Sequence, residues 1–538
     1  MDFTPANYYD PNTKIWRGDQ MKSYFDPRLS IGQIIFHEMR RHPQLIAQIS
    51  ATENTVLTFE EVLKNSIRVA CYLRSLGLGQ SDVVGIIARN TTHISAVAYA
   101  CFFNGTAYHA LSLTTDRSTI EKLYSITKPK VIFCDGDEFE KIRTATSQLD
   151  VKIVTMRKHH PDSIPIEEVL KTAVEDNFLP VNLEQGNDQT LAIVCSSGTT
   201  GTPKPVTVSH RKQMSSINQS RLTSADVQYT SSNLEWISGI MTIITSAVFS
   251  TTRIIDDNAF DPNFVLKLIE NYKITWFICV TSTLAQLTNC ATFGTADLSS
   301  LKVLLYGGTR LSLEIQKRMR NRLSMDCLHL NYGLMELGRI GAVNFHFDKK
   351  PNSVGRLADG NELRIINKQK ENLGPDQAGE VLIRNNEHWS GYYGSPELTH
   401  KIRDSEGWYH SSDLGYVDKD GFLYILDRMD DMLKYQTCMY YPNEIESIIA
   451  EMPQVAEVCV FGINDEINGD EAAATVVKTK GSRLCAQDVV DYVKSRTDSE
   501  YKHLNAGVII VADLKRSTNG KTNRKANKEY FLNQIKVA

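Results

Sequence analysis

The chain of 538 residues predicts an α/β fold: a large N-terminal domain of helix-flanked, mainly parallel sheets with a small β-rich subdomain, then a smaller α+β C-terminal domain joined by a hinge. Three observations lead there. Short apolar runs alternate with helical patterns over roughly the first 340 residues, and strands alternating with helices imply a parallel sheet covered by helices. Closely spaced strand-like runs with turn residues between them follow. After Arg428 a separate α+β pattern begins. A chain this long also exceeds what one compact core organises.

The elements can be taken in order. VVGIIA (83–88), KVIFC (130–134), VKIVTM (151–156), LAIVC (191–195), ITWFICV (274–280) and KVLLYGG (302–308) are read as buried strands. Asp261 and Pro262 supply a cap and a first helical position, and Phe264, Val265, Leu268, Ile269 and Tyr272 then form one apolar face at helical spacing. ELRIIN (362–367), GEVLIRN (379–385) and GFLYILDR (421–428) form the β-rich subdomain, about 345–428, which closes an N-terminal domain of residues 1–428. Residues 429–538 are expected to be a mobile C-terminal domain, with a helix starting at PNEIESIIAEM, strands in VAEVCVFGI and AAATVVK, the helix AQDVVDYVKSR and the strand GVIIVADL.

Composition narrows the function classes. A formal net charge of -4 with no long basic block argues against a nucleic-acid binder. Ten cysteines lie scattered from Cys71 to Cys485 without a CxxC pair, so reduced thiols fit better than a zinc site or a disulfide framework. The opening residues lack the basic and apolar regions of a signal peptide, and the most apolar stretch, Ile94 to Phe103, is too short to span a bilayer. The chain ends in KVA rather than Ser-Lys-Leu. A soluble intracellular protein, cytoplasmic or peroxisomal, is the expectation.

The sharpest chemical signal is SSGTTGTPK directly after the strand LAIVC. Small residues at Ser196, Ser197, Gly198, Thr199, Thr200 and Gly201 let backbone N–H groups approach a polyphosphate, the hydroxyls add donors, and Lys204 adds positive charge. It is not a Walker A loop, and the GKT at 520–522 is not one either, because Lys515 occupies the first glycine position.

Four further segments join it: NYGLME (331–336), YHSSDLG (409–415), DRMDDMLK (427–434) and NGK (519–521). In this order the motifs resemble those of the adenylate-forming superfamily across nearly the whole chain. The overall style resembles the luciferase-like and coumarate-ligase-like acyl-CoA synthetases of insects. The resemblance implies an ATP-dependent acid–thiol ligase that makes an acyl-adenylate and passes the acyl group to CoA, with Mg²⁺ accompanying ATP. It implies that Tyr332, followed by Gly333, stacks on adenine beside Gly307 and Gly308, and that Glu336 holds Mg²⁺ on the triphosphate. Asp413 would bind the ribose hydroxyls, Arg428 ribose or phosphate, and Lys521 the carboxylate and α-phosphate. Asp430 would be the hinge, and Lys434 would belong to the other face of the C-terminal domain. Trp236, Tyr306 and the stretch from Gly308 to Leu311 would wall an apolar acyl pocket, suited to a fatty or related acid. Taken singly, each of these residues reads as an ordinary surface or core position; their joint order gives them meaning.

Four departures from the pattern bear on activity. Met335 stands where threonine is usual, Ser412 where glycine is usual, Pro205 follows Lys204 in place of glycine, and Thr437 lies near the glycine expected beside the pantetheine channel. They keep two alternatives open: an adenylating or luciferase-like enzyme with a different second step, and an impaired member acting as a ligand sensor or scaffold.

Overall fold

The computed structural model describes residues 7–196, 203–308, 311, 313–323, 327–346, 348–436, 438–465, 467–517 and 520–537. Four sheets organise the chain. In the first, Val83–Ile87, Ala107–Ala110, Val131–Cys134, Lys152–Thr155 and Ile164–Pro165 run parallel, and the antiparallel pair Thr190–Ser196 and Lys204–Ser209 closes one edge. The second sheet has nine strands, with Val227–Thr230, Thr252–Ile255, Trp276–Val280, Val303–Gly307 and Leu328–Tyr332 parallel at its centre. Continuous apolar runs form such strands because helices cover both faces.

The helices follow the patterning. Pro262–Tyr272 starts where expected, with the Asp261 carboxylate accepting from Asn263 N at 2.9 Å and Val265, Leu268 and Ile269 buried. Ile94–Asn104 is buried on all sides, which explains an apolar run with no polar face, and it ends at Gly105 in the left-handed region. No helix among the described residues is long and apolar enough to cross a membrane. All ten cysteines are free thiols.

The third sheet contains the expected strands Asn361–Ile366, Gly379–Asn385 and Leu423–Arg428, with Tyr409–Val417 between the last two. It also recruits Asn7–Asp10 and Ile15–Gly18 from the N-terminus, through pairing of Leu363 with Trp16. The β-rich unit is therefore larger than the segment 345–428 assigned to it. Beyond it, Met429–Asp431 forms one 3-10 turn that includes Asp430, and Leu433–Tyr435 opens the fourth sheet. There Val455–Asp465 and Gly469–Lys478 pair along their length, and Gly507–Val511 adds in parallel. Pro442–Ile449 and Ala486–Arg496 pack on it, around Val460, Ala474 and Val476.

Candidate active site

The hairpin Thr190–Ser196/Lys204–Ser209 presents the Gly/Ser/Thr-rich loop between its strands. Residues Ser197, Gly198, Thr199, Thr200 and Gly201 of that loop lie outside the described residues, as does Thr437. The two ends of the loop are defined by the pairing of Ser196 with Lys204. Pro205 sits in the edge strand, where a missing N–H is tolerated. Its carbonyl points outward and accepts from Tyr393 N at 2.8 Å, so the pairing with Thr190–Ser196 loses no hydrogen bond.

Both ends of the loop meet Tyr392. The ammonium of Lys204 lies 5.6 Å from its ring centroid, and the Ser196 side chain bonds to it. Tyr392 Oη donates in turn to Glu336 Oε1 at 2.5 Å. Burial, with Glu336 adding to it, pushes the Tyr392 phenol above its usual pKa, so it remains a donor at neutral pH. Tyr392 thus connects the loop to the carboxylate expected to face the metal–triphosphate. Met335, beside Glu336, is half-buried and packs against the main core.

A second cluster forms where the central strands end. Tyr332 closes the strand Leu328–Tyr332, and its Oη donates to Asp413 Oδ2 at 2.6 Å. Arg428 Nη1 donates to Asp413 Oδ1 at 3.2 Å. Asp413 is 5% exposed, and burial raises its pKa against the pull of Arg428 and Tyr332. Strand pairing sets this geometry, because Asp413 and Arg428 are direct partners in adjacent antiparallel strands. Ser411 braces this stretch of the strand: its hydroxyl donates to Val381 O at 2.6 Å and accepts from Asp413 N at 3.0 Å. Ser412 adopts φ 55°, a conformation in which glycine is more stable by about 1 kcal/mol or more.

Lys521 reaches this cluster from the C-terminal sheet side. A Cβ built on Gly308 would lie 3.0 Å from Lys521 Cε, and Gly308 itself has φ 103°. Both the approach of the lysine and the backbone conformation therefore require glycine there. Gly307 is equally confined, its Cβ position lying 2.7 Å from Asn331 O. Ser282 Oγ donates to Gly520 O at 3.0 Å, holding the residue before the lysine. Burial lowers the Lys521 pKa; Asp413 and Glu336 oppose that and Arg428 adds to it. Lys434 is exposed on the strand Leu433–Tyr435 and is not among the charges acting on Lys521.

The expected acyl wall is corrected at one residue. Tyr306 is 1% exposed and donates to Gln316 Oε1 at 3.0 Å, inside the core with Phe277 and Leu304. Its neighbour Leu305 points to the other face, with Ile278, Val343 and Met241. Strand alternation thus sends Tyr306 away from the helix that follows Trp236. Trp236 is half-buried and caps the start of that helix, Ile237–Val248. Beside it Glu235 is 7% exposed, and burial raises its pKa to about 7 against hydrogen bonds with Ser112, Trp236 and Asn233.

Tyr392, Ser282 and Lys212, whose ammonium donates to the Glu336 main-chain carbonyl, were not identified from the sequence. The only sequence signals are modest. Two tyrosines stand together in WSGYYG, and a lysine occupies the first turn of the helix that follows the loop hairpin.

Comparison with known proteins places these features in context. The family model for AMP-binding enzymes matches residues 35–393, and that for the AMP-binding enzyme C-terminal domain matches 444–521. The chain is 29% identical to 4-coumarate–CoA ligase 3 of Arabidopsis thaliana, covering 85% of this chain and 83% of that protein. It is 26% identical to luciferin 4-monooxygenase of Photuris pensylvanica, covering 93% and 95%. Among solved structures, ATP-bound MatB from Rhodopseudomonas palustris superposes with a TM-score of 0.82 at 22% identity, covering 94% of this chain and 99% of that one. Its apo form, at the same identity and coverage, gives 0.72.

Proposed function

Because the chain belongs to the AMP-binding enzyme family, within the adenylate-forming superfamily, we propose that it is an ATP-dependent acid–thiol ligase that converts a carboxylic acid to its acyl-adenylate and then to a CoA thioester. The observation that carries this reading is the convergence of Lys521 on Gly308, with Asp413, Arg428 and Glu336 around it. The closer superposition on the ATP-bound form of MatB than on its apo form supports the same arrangement of the two parts.

In the first half-reaction a carboxylate oxygen attacks the α-phosphorus in line. A carboxyl–phosphorus bond forms, the bond to the bridging oxygen breaks, and pyrophosphate leaves. Negative charge gathers on the transferring group, so the contribution required of the protein is position and positive charge, and no protein nucleophile is needed. Lys521 supplies the charge, Asp413 and Arg428 hold the ribose side, and Tyr332 and Gly308 flank adenine. In the second half-reaction the CoA thiolate attacks the acyl carbon and AMP leaves. A turn at Asp430 lets the C-terminal part withdraw Lys521 and present another face, on which Lys434 lies.

Mg²⁺ fits this site as a companion of the nucleotide. Tyr392 occupies one oxygen of Glu336 and leaves the other for a metal, and Mg²⁺ is commonly bound by one or two carboxylates plus substrate phosphates. When bound it would neutralise charge on the polyphosphate. The acid is read as a fatty or related apolar carboxylate, because Ile278, Leu305, Val343 and Met241 gather on the face next to the helix that Trp236 caps. The test is incubation with ATP, Mg²⁺, CoA and a panel of short, medium, long and aromatic acids, with products followed by mass spectrometry. Acyl-AMP and acyl-CoA from one class of acid are expected. Formation of neither product from any acid contradicts the proposal.

A further inference from the structure

The helix His210–Gln219 follows the loop hairpin and buries an unusual set of polar side chains, among them Lys212 and Gln213, both 0% exposed. Lys212 stands in the first turn, its N–H donating to the capping Ser209 hydroxyl at 3.3 Å. Its ammonium passes between Trp389 and Tyr409, 5.2 and 5.4 Å from their ring centroids, and reaches Tyr409 Oη at 3.4 Å. There it donates to the main-chain carbonyl of Glu336. The adjacent Gln213 donates through Nε2 to Gly338 O at 3.1 Å. Two neighbouring side chains of one helix thus hold two carbonyls of the turn that follows Tyr332.

A lysine in this place calls for an explanation. Among the described residues no carboxylate forms an ion pair with it. Burial lowers its pKa to about 7, with Glu387 and Glu336 opposing and Arg403 and Arg339 reinforcing that fall. Burying an ammonium without a carboxylate partner is unfavourable, and an unbranched apolar side chain would fill the same channel at less cost. What the apolar side chain lacks is a donor for the Glu336 carbonyl. The side chain of Glu336 is held independently by Tyr392 at 2.5 Å, so its two ends are fixed from two different elements.

We propose that Lys212 is a positioning residue for adenylation: by gripping the Glu336 carbonyl it fixes the backbone from which that carboxylate faces the metal–triphosphate. The inference rests on the role given to Glu336 above. It adds to that role a residue that touches neither nucleotide nor acid.

The test compares wild type with Lys212→Met, which keeps the length of the side chain and removes the donor. ATP binding is measured by calorimetry across a Mg²⁺ titration, alongside both half-reactions and thermal melting. The Mg²⁺ concentration giving half-maximal ATP binding is expected to rise about tenfold, as the loss of one buried hydrogen bond warrants. Acyl-AMP formation at saturating carboxylate should fall by a similar factor with the KM for carboxylate unchanged. The reaction of supplied acyl-AMP with CoA should stay within about twofold of wild type. Unchanged Mg²⁺ dependence in a folded variant, or equal loss in both half-reactions, overturns the proposal. Should Lys212→Met not fold, Gln213→Leu carries the same comparison through the neighbouring grip on Gly338, with a smaller shift expected. Wild type that binds ATP with Mg²⁺ dependence but never yields acyl-AMP defeats the ligase reading, while the binding comparison still decides this one.

Discussion

Lys212 and Lys521 both act on Glu336, one from the N-terminal core and one from the C-terminal part, and the contrast separates what is built into the proposed site from what is delivered to it. Burial lowers the pKa of both. Lys212 belongs to the N-terminal core, held by aromatic rings and a main-chain carbonyl. Lys521 lies on a loop beyond the C-terminal sheet, whose hydrophobic clusters share no member with those of the N-terminal sheets among the described residues. Hydrogen bonds cross the junction, from Ser282 Oγ to Gly520 O at 3.0 Å and from Asn443 N to Asp427 Oδ2 at 3.2 Å. Polar junctions of this kind permit relative motion, whereas a shared apolar core would resist it. In the proposed mechanism the site accordingly has a fixed half that binds and aligns and a removable half that carries the decisive charge.

The largest effect is expected from Lys521→Ala. Acyl-AMP formation should fall by roughly 10²- to 10³-fold, as for loss of one preorganised donor, while supplied acyl-AMP still reacts with CoA at near the wild-type rate. Equal losses in the two half-reactions would mean that the lysine is not specific to the first. Gly308→Ala tests the same contact from the fixed side. The new methyl would meet Lys521 Cε and occupy a φ of 103°, so adenylation should fall about 10- to 100-fold. A normal rate in this variant would show that the lysine does not work from the position seen here.

Tyr392→Phe removes the donor to Glu336 and should cost adenylation about tenfold or less, read as a weaker response to Mg²⁺. Within the fixed half, Glu235 gives a pH signature. Burial holds its carboxyl neutral up to about pH 7, well above an unfolded value near 4.5, so the folded state keeps a proton that the unfolded state loses. That contribution is present below the unfolded pKa and is lost as pH rises through 7, on the order of 1–3 kcal/mol. Glu235→Gln should therefore remove part of the fall in melting temperature between pH 5 and pH 8; an unaltered pH profile would exclude Glu235 as its source. The smallest effect expected is from Ser412→Gly, which relieves the left-handed backbone at φ 55° and should raise stability by about 1 kcal/mol, read as a small rise in melting temperature.

The same division explains what the sequence disclosed. The parallel strands were legible because burial on both faces demands continuous apolar runs, as at Val83–Ile87; outside them the antiparallel strand Gly379–Asn385 and the helix Ala486–Arg496 emerged with their full expected extent. Asn7–Asp10 and Ile15–Gly18 were not, because NYYD and IWRG carry little apolar pattern, and the hairpin they form joins the sheet only through a strand far along the chain. Lys521, Asp413 and Glu336 stand in short motifs, where the proposed chemistry would restrict residue type. Lys212 and Tyr392 make their contacts only once distant segments meet, and the local signals for them are modest. Tyr306 was misplaced by one position of strand parity, which a run as uniformly apolar as VLLYG does not reveal.

The proposed function requires reversible adenylation, and the exchange of labelled pyrophosphate into ATP reports that step without requiring CoA. Purified wild type should show exchange that depends on an added apolar carboxylate and on Mg²⁺, and Lys521→Ala should abolish it. Wild type that binds ATP but shows no exchange with any carboxylate, or exchange that survives unchanged in Lys521→Ala, would contradict the central claim.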